Sequence, residues 1–363
     1  MAKLGEICTF QSGGTPSKSN SEYFNGSIPW ITTVALTGDY IDKNDAVDWI
    51  TDKAIQESAA KIVPENSILV GTRVGIGKVA INTVPMSTSQ DIVSLINVDD
   101  TEWDKRFLCK VISARNPYLL SQARGATIKG IKIDTLAKLE IPEFPVDAQR
   151  RIAAVLDKVS GLIAKRREQL DKLDELVKAR FVEMFGDPIN NTKGLPTTPL
   201  GEICYLKAGV TTISDEIHSQ SKEYSVPCYG GNGIRGYVKE ATQRGTYPII
   251  GRQGALCGNV QLAIGEFHAT EHAVLVSPII KTNVIWVYYL LKFMDLYRYH
   301  TGAAQPGLAV KTLNMVEIPC ADIGLQNEFA TFAEQVEKSK LTIQQSLDKL
   351  ELLKKALMQQ YFG

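Results

Sequence analysis

The stretch Gly125–Pro142, GATIKGIKIDTLAKLEIP, is followed 177 residues later by Gly302–Pro319, GAAQPGLAVKTLNMVEIP. At this fixed offset the match continues to the glycines Gly186 and Gly363, and 20 of the 62 aligned positions are identical without a gap. A match of this length within one chain indicates an internal duplication of a large structural unit.

A second pair of matching segments lies closer to the start of each copy. The five letters LGEIC occupy both Leu4–Cys8 and Leu200–Cys204, at an offset of 196. Between these segments and the later match, identity nearly disappears. We therefore expect the shared parts to form a common architecture and the divergent parts to bind different ligands.

A long amphipathic helix is predicted after Gln149. Pro142 and Pro145 lie just before it, where proline is tolerated, and Gly186 is a typical helix stop. The apolar positions are three and four residues apart, as in a coiled-coil seam. They are Ile152, Leu156, Val159, Ile163, Leu170, Leu173 and Val177, with Arg166 interrupting, and in the second copy Ala333, Val336, Ile343, Leu347, Leu350 and Leu357, with Lys340 and Lys354 on the seam.

Two arrangements are open for these helices. Each would be roughly 55 Å long, and one apolar face does not make such a helix stable alone in water. The two helices could pack on each other in antiparallel fashion, or each could dock only on its own domain. The common origin of the copies favours the antiparallel pair.

Upstream of each helix, the sequence predicts a compact α+β domain of about 120 residues. Ser67–Ile81, SILVGTRVGIGKVAI, alternates apolar and polar residues around glycines, and Tyr247–Ile264 is its counterpart. This pattern indicates strands joined by hairpin turns. Residues 39–60 and 284–300 are predicted to be helical.

The composition excludes several classes of protein. Hydrophobic residues make up 44% and charged residues 22%, as in globular proteins, and no apolar run approaches the length of a membrane span. The start of the chain does not resemble a signal peptide, so we expect a cytoplasmic protein. The six cysteines are widely spaced and are predicted to be free thiols. The 40 basic and 40 acidic residues balance, so any nucleic-acid surface must be local.

Three motifs suggest chemistry, but each has a more ordinary interpretation. GIGKVA at Gly75–Ala80 fits a dinucleotide-binding fingerprint, although its alternation is typical of a strand rather than of the required helix. NPY at Asn116–Tyr118 is similar to part of an adenine methyltransferase loop, but a helix end is the simpler interpretation. His268 and His272 lack the surrounding residues of a zinc motif. The sequence therefore shows no catalytic or metal site.

Three longer segments carry a resemblance to a known family. SGGTPSKSNSEYFNGSIPW (Ser12–Trp30), GTRVGIGKVAI (Gly71–Ile81) and GIKIDTLAKLEIPEFPVDAQRRIAAVLDKV (Gly130–Val159) resemble the specificity subunits of type I restriction-modification systems. The resemblance covers the whole chain. One departure is Asp322, which stands where the first copy has Pro145. Another is that the chain starts directly at the first recognition domain, without the N-terminal segment of many relatives.

The resemblance implies an α+β fold of two similar target recognition domains joined by two long antiparallel helices, related by a pseudo-two-fold internal repeat. The expected boundaries are 1–145 for the first recognition domain, 146–186 for the first spacer helix, 187–199 for a linker, 200–321 for the second recognition domain and 322–363 for the second spacer helix.

The resemblance also implies a non-catalytic subunit that binds a bipartite site in double-stranded DNA. Two modification subunits and possibly two restriction subunits are the expected partners, with no membrane involved. S-adenosylmethionine, ATP and Mg²⁺ would be used by those partners, and no cofactor would be bound by this chain.

Charge and residue type suggest which side chains contact DNA. The acidic segment Asp39–Glu57 should face away from phosphate, whereas residues 124–138 are basic and should face it. Arg73 and Arg252 both follow a glycine at a strand end and are the leading candidates. The predicted contact residues are Thr15, Ser17, Lys18, Arg73, Lys78, Gln90, Arg124 and Lys129 in the first copy, and Lys207, Tyr229, Asn232, Arg235, Arg252, Gln253 and His272 in the second.

Three alternatives stay open at this point. Lys165, Arg166 and Arg167 could form a DNA-backbone patch, although a solvated helix face is the preferred interpretation. The chain could instead be a methyltransferase or a nucleotide-binding enzyme that uses the GIGKVA loop. It could also be a duplicated adaptor without a DNA role, a hypothesis that only the neutral net charge supports.

Overall fold

The computed structural model describes residues 1–38, 40–125, 127, 129–254, 256–279, 281–302 and 306–363. Asp39, the first residue of the acidic segment, lies outside them. The chain divides into two compact units. The first unit contains Met1–Lys165 and Leu347–Gly363, and the second contains Arg166–Ser346.

The first unit begins with a short strand and a one-turn helix and then forms two mixed sheets. Its elements are β1 (Ala2–Lys3), α1 (Leu4–Ile7), β2 (Thr9–Ser12), β3 (Phe24–Ile31), β4 (Tyr40–Ile41), β5 (Asp48–Ile50), α2 (Asp52–Glu57), β6 (Ile62–Val63), β7 (Ile68–Gly71), β8 (Val79–Asn82), β9 (Met86–Thr88), β10 (Ile92–Ile96), α3 (Lys105–Ala114), α4 (Asn116–Ser121), α5 (Ile133–Ala137), β11 (Glu140–Ile141) and the start of α6 (Val146–Phe185).

The larger sheet of the first unit has the strand order β2-β10-β7-β8-β4, and the smaller one has the order β5-β3-β9-β6. Apolar side chains of β7, β8, β10 and α3 form one buried cluster with the start of α6. All four residues of β7 and of β8 are buried, because these central strands are covered on both faces. The sheet therefore holds the turn between β7 and β8 rigidly.

The second unit repeats this plan with longer strands. Its elements are the end of α6, β12 (Thr197–Pro199), α7 (Leu200–Ile203), β13 (Cys204–Ala208), β14 (Val226–Gly230), β15 (Gly233–Val238), β16 (Gln243–Gly251), β17 (Val260–Ala269), β18 (Ala273–Pro278), α8 (Val284–Phe293), α9 (Val310–Asn314), β19 (Glu317–Pro319) and the start of α10 (Ile323–Phe362).

One sheet in the second unit has the order β13-β18-β16-β17-β14-β15. Its first four strands correspond to β2-β10-β7-β8 of the first unit. The LGEIC segments form the equivalent helices α1 and α7, and β12 pairs with β19 as β1 pairs with β11. The duplication that the sequence predicts is therefore present at the level of strand order.

The long helices are antiparallel within each unit. In the first unit, Phe362 at the end of α10 belongs to the same buried cluster as Ile152 near the start of α6. In the second unit, Phe329 near the start of α10 packs edge-on against Phe181 near the end of α6, with 5.2 Å between ring centroids. The prediction of paired helices is confirmed, and Gly186 ends α6 with a positive φ of 79°.

The local structure departs from two predictions, which placed helices over residues 39–60 and 284–300. Residues 40–60 are not helical throughout: β4, β5 and the six-residue helix α2 share this stretch. Local spacing does not reveal that β4 pairs with β8 and β5 with β3, far away in sequence. Residues 284–293 form α8 as predicted, but the helix does not continue to residue 300, because Asp295 has a positive φ of 49° and a separate 3-10 helix follows over Leu296–Tyr299. The described cysteines are unpaired, and burial raises the pKa of the Cys109 thiol to about 12. No helix in the described residues is both long and apolar enough to cross a membrane.

Candidate nucleic-acid interface

A tight hairpin turn joins β7 to β8 in the first unit. The backbone nitrogen of Gly71 donates to the carbonyl of Lys78 at 2.9 Å, and that of Gly77 donates to Gly71 at 2.9 Å. Gly75 and Gly77 have φ values of 73° and 74°, which favour glycine. This is the GIGKVA stretch, and strand β8 follows it rather than a helix. The turn therefore lacks the helix N-terminus that a dinucleotide site requires.

Two further loops are joined to this turn by backbone hydrogen bonds. The nitrogen of Thr72 donates to the carbonyl of Asp91 at 2.8 Å, and that of Ile131 donates to the carbonyl of Thr72 at 2.8 Å. The nitrogen of Gly14 also donates to the carbonyl of Thr88 at 2.8 Å. Four segments thus meet at one edge of the sheet.

The second unit contains the same junction. Arg252 N donates to the carbonyl of His272 at 3.0 Å, Leu308 N donates to Arg252 O at 2.9 Å, and Val210 N donates to Ala269 O at 2.8 Å. We call these segments the loop face of each unit. The loop face comprises residues 13–19, 72–78, 89–91 and 122–138 in the first unit, and 209–215, 252–259, 270–272 and 299–315 in the second, with 126, 128, 255 and 303–305 outside the described residues.

The hydrogen bonds define which residues are equivalent. Arg252 holds the place of Thr72, and His272 holds that of Asp91. Arg73 consequently corresponds to Gln253 and not to Arg252. The two arginines both follow a strand-end glycine, as the sequence suggests, but they occupy different positions in the turn.

Glycines allow the first loop of each face to approach the sheet closely. A Cβ atom at Gly13 would lie 2.2 Å from the Ser89 carbonyl oxygen, and one at Gly209 would lie 2.2 Å from the Ala269 oxygen. Contacts this short with backbone atoms are not possible, so both positions require glycine. The duplication has kept this packing although the neighbouring side chains differ.

In the first unit, several predicted residues line one groove of about 690 Å³. Arg73 and Arg124 lie on it together with Lys132 and Lys138, which are also exposed. Asp91 is 3.7 Å from an Arg73 guanidinium nitrogen, which leaves that arginine only loosely paired. The groove is therefore predominantly cationic.

The remaining candidates of the first unit are exposed on the loop face but are not among the residues that line this groove. Thr15 and Gln90 are connected, since the Gln90 nitrogen donates to the Thr15 hydroxyl oxygen at 3.3 Å. The Ser17 hydroxyl is 2.7 Å from that of Ser19. Lys18, Lys78 and Lys129 are exposed on the loop face.

Tyr118 and Gln122 also line the groove, although neither was among the predicted contact residues. Tyr118 belongs to the NPY motif, which opens the short helix α4. The Asn116 amide donates to the carbonyl of Ile76 at 2.7 Å and so connects this helix to the hairpin turn. The motif thus has a structural role here.

In the second unit, a shallower cleft of about 560 Å³ brings together Asn232, Arg235, Gln253 and His272. Asn232 accepts a hydrogen bond from the Asn259 amide at 2.6 Å. These side chains offer neutral donors and acceptors beside a single arginine, which is a different chemistry from that of the first unit.

Lys207 and Tyr229 do not line this cleft. Lys207 is exposed on β13. Tyr229 is half-buried with its ring edge-on to Phe267 at a centroid distance of 5.5 Å, and burial raises the pKa of its hydroxyl. The Tyr229 side chain therefore serves mainly in packing within the second unit.

Unpaired polar atoms are buried at the junction in the second unit. Among the described residues, neither Arg252 Nε nor His272 Nδ1 has a hydrogen-bond partner, and the same is true of the Thr270 hydroxyl. The other ring nitrogen of His272 lies 3.1 Å from a carboxylate oxygen of Glu271. Burial pushes the pKa of Glu271 upward, but hydrogen bonds from backbone N–H groups and the charge of His272 lower it overall. Buried groups without partners mark a place where a bound molecule can supply them.

The basic stretch on the first long helix shows an ordinary surface environment. Lys165 is exposed, and the Arg166 guanidinium donates to the Gln169 side-chain oxygen at 2.8 Å. Elsewhere, the described residues contain no group of three His, Cys, Asp or Glu side chains arranged to hold a metal ion. His268 instead has its Nε2 atom 2.8 Å from the Thr212 hydroxyl.

Two similar α+β units, each with a loop face and each built on parts of two long helices, define the class of duplicated recognition subunits. Residues 1–174 and 193–352 match the family model of the type I restriction modification DNA specificity domain. The chain belongs to this family, the specificity subunits of type I restriction-modification systems, which recognise DNA sequence and are non-catalytic.

Individual relatives agree with this assignment. The specificity subunit of the Escherichia coli type I restriction enzyme EcoprrI is 32% identical over 350 residues, covering 92% of this chain and 86% of that protein. The MjaIX specificity subunit of Methanocaldococcus jannaschii is 29% identical over 235 residues, covering 60% and 54%. The fold is similar to the crystal structure of an S subunit from M. genitalium, with a TM-score of 0.66, 19% identity and coverage of 99% and 95%.

Proposed function

We propose that each unit binds one half of a bipartite DNA target through its loop face. The observation that carries this proposal is the conserved junction with different side chains on it. The same backbone hydrogen bonds hold Thr72 and Arg252, while Asp91 is replaced by His272 and Arg73 by Gln253. One scaffold with two sets of side chains suits the recognition of two different base sequences.

The residues on the two faces differ in the bases they can read. An arginine such as Arg73 pairs with the O6 and N7 atoms of guanine, whereas a glutamine such as Gln253 pairs with N6 and N7 of adenine. His272 has a buried nitrogen without a partner among the described residues, and Arg235 lies in the same cleft. Base edges would supply the missing partners.

The long helices are proposed to determine the number of unread base pairs between the half-sites. Both α6 and α10 contain 40 residues without interruption, and a helix of this length rises about 60 Å. Since the length of a straight helix is fixed by its residue count, insertions of whole turns should change the gap rather than the half-sites.

The subunit would deliver its partners to the target. We infer that two modification subunits assemble with it, joined in the complete enzyme by two restriction subunits, in the cytoplasm where the host DNA lies. S-adenosylmethionine, ATP and Mg²⁺ would be bound by those partners and not by this chain. The assembled enzyme would methylate an adenine near each half-site.

A comparison of methylated bases across the host genome tests this proposal. In a strain that carries the gene, we expect adenine methylation at a motif with two defined halves and an undefined gap. Deletion of the gene should abolish methylation at that motif, and a plasmid copy should restore it. Unchanged methylation after deletion would contradict the proposal.

The enzyme hypothesis is tested separately by titration calorimetry of the purified chain with S-adenosylmethionine and with NAD. No heat of binding is expected, because the GIGKVA turn leads into β8 and presents no helix N-terminus to a phosphate group.

A further inference from the structure

The two loop faces differ strongly in charge. Over the segments that define them, the first face contains seven Lys and Arg residues against two Asp residues, a net charge of +5. The second face contains two Lys and Arg residues against one Asp and one Glu, a net charge of 0. The hydrogen-bonded junctions show which positions are equivalent, so the two net charges are compared over corresponding segments.

Of this difference of five charges, two arise in the segment that follows α4 (122–138 against 299–315), two in the first loop (13–19 against 209–215) and one in the turn (72–78 against 252–259). At the fixed offset of 177, Arg124 corresponds to Thr301, Lys132 to Ala309, and Lys138 to Met315. Lys311 is the one basic residue of this segment in the second unit, where the first has Asp134. Three basic side chains of the groove are therefore replaced by uncharged ones at the equivalent positions of the second unit.

The geometry of the groove suits a phosphate backbone. Arg124 and Gly130 exchange two backbone hydrogen bonds of 2.9 Å, and Lys132 follows this pair by two residues. In the described part of the chain, Arg124, Lys132 and Lys138 are exposed and have no ion-pair partner. Their charges are available to an incoming anion.

We propose that, of the two units, the first supplies most of the phosphate contacts, and that the second binds mainly through neutral hydrogen bonds and its Arg235 cleft. This inference rests on the proposed function and adds a division of labour to it. Cations that neutralise phosphates release counterions, so they make binding depend on salt, whereas neutral base contacts do not.

The experiment measures binding of a fluorescent 40-base-pair duplex of arbitrary sequence at a series of KCl concentrations. An arbitrary duplex is sufficient, because phosphate contacts do not depend on sequence. The protein is the complex that the tagged full-length chain forms in its own host. The variant Arg124→Thr/Lys132→Ala carries the residues of the second unit at these positions.

Each lost phosphate contact changes the slope of log K against log salt by about 0.9, so the double variant should bind with a slope shallower by about 1.8. The matched control is Lys43→Gln/Lys61→Gln, which removes two exposed lysines of the same unit outside the loop face. The control should retain the wild-type slope.

The reciprocal variant Thr301→Arg/Ala309→Lys gives a readout that does not depend on a loss of function. It should make the slope steeper by up to about 1.8, if the second face approaches DNA as the first does. Circular dichroism melting of each variant identifies any that fail to fold. If the loop-face variant does not fold, the salt slope of the reciprocal variant tests the division of labour in its place. A steeper slope than that of the wild type supports it, and an unchanged slope contradicts it.

A shallower salt slope for the loop-face variant than for its control supports the division of labour. Equal slopes, in a wild-type complex that binds the duplex, overturn it and leave the proposed function intact. A wild-type complex without any salt-dependent affinity for duplex DNA would instead contradict the proposed function itself.

Discussion

Gln149 accepts a hydrogen bond from the backbone nitrogen of Asp104 at 2.9 Å, and Gln326 accepts one from Asn283 at the same distance. Asp104 and Asn283 are the N-caps of α3 and α8, and both glutamines are almost completely buried in the first turn of a long helix. The repeat has thus preserved a polar connection between each long helix and the recognition unit that it supports.

Replacing Gln149 by Ala should destabilise the first unit by about 2–3 kcal/mol, because buried backbone groups lose their partners. The Gln149 amide also donates to the carbonyls of Glu102 and Phe144 at 2.9 and 2.8 Å. Urea unfolding followed by circular dichroism measures the change. Arg150→Ala, at the exposed neighbouring position, should cost less than about 0.5 kcal/mol. Equal effects of the two substitutions would show that the connection contributes nothing.

The second unit should be sensitive to the loss of one aromatic ring. Phe181 is fully buried and packs against Phe185, Phe293 and Phe329 with centroid distances of 5.0–5.3 Å. Phe181→Ala should lower the free energy of unfolding by about 3–5 kcal/mol. Val182→Ala, next to it on α6 but 39% exposed, should cost less than about 1 kcal/mol. A comparable loss for Val182→Ala would contradict the observed helix orientation.

The close approach of Gly209 to the sheet makes a prediction about the loop face. Gly209→Ala places a Cβ atom 2.2 Å from a backbone oxygen, so the loop must move. We expect a loss of about 1–3 kcal/mol and weaker DNA binding. Gly161→Ala is the control, since nothing lies within 4 Å of its Cβ and it lies within α6. This control should gain up to about 1 kcal/mol from helix propensity. DNA binding by Gly209→Ala at wild-type strength would argue against the loop face as the contact surface.

The stability of the second unit should fall in mild acid because of His268. Burial lowers the pKa of this imidazole below its ordinary value, although Glu216 and Glu271 act in the opposite direction. The folded state therefore binds the proton less tightly than the unfolded state. The contribution of neutral His268 to the free energy of unfolding is consequently present at neutral pH and is lost as pH falls below about 6.5. His268→Gln should show a flatter dependence of melting temperature on pH between 7 and 5. An identical pH profile for both proteins would exclude this role.

Sequence predicted the parts of the fold that repeat and the parts with local signals. The helices α6 and α10 follow from apolar spacing, and the β7–β8 and β16–β17 hairpins follow from alternation around glycines. The strands β4 and β5 were not predictable, because their identity depends on pairing with distant strands.

The composition of the candidate site was predictable only in part. Arg73 and Arg124 lie on one groove although they belong to loops about 50 residues apart. Both are predicted to contact DNA because of their residue type, but the sequence does not indicate that they are neighbours. The correspondence between Arg73 and Gln253 depends on backbone hydrogen bonds, since the second turn is one residue longer than the first. The sequence marks Tyr118 only as part of the NPY motif and gives no indication of Gln122, because their exposure on the groove results from tertiary packing.

The most direct test of two independent reading units is an exchange of residues 1–145 for the corresponding domain of another family member, followed by sequencing of methylated bases. The expected result is a motif in which one half-site is new, while the other half and the gap are unchanged. A motif that changes in both halves, or one that does not change at all, would contradict the account.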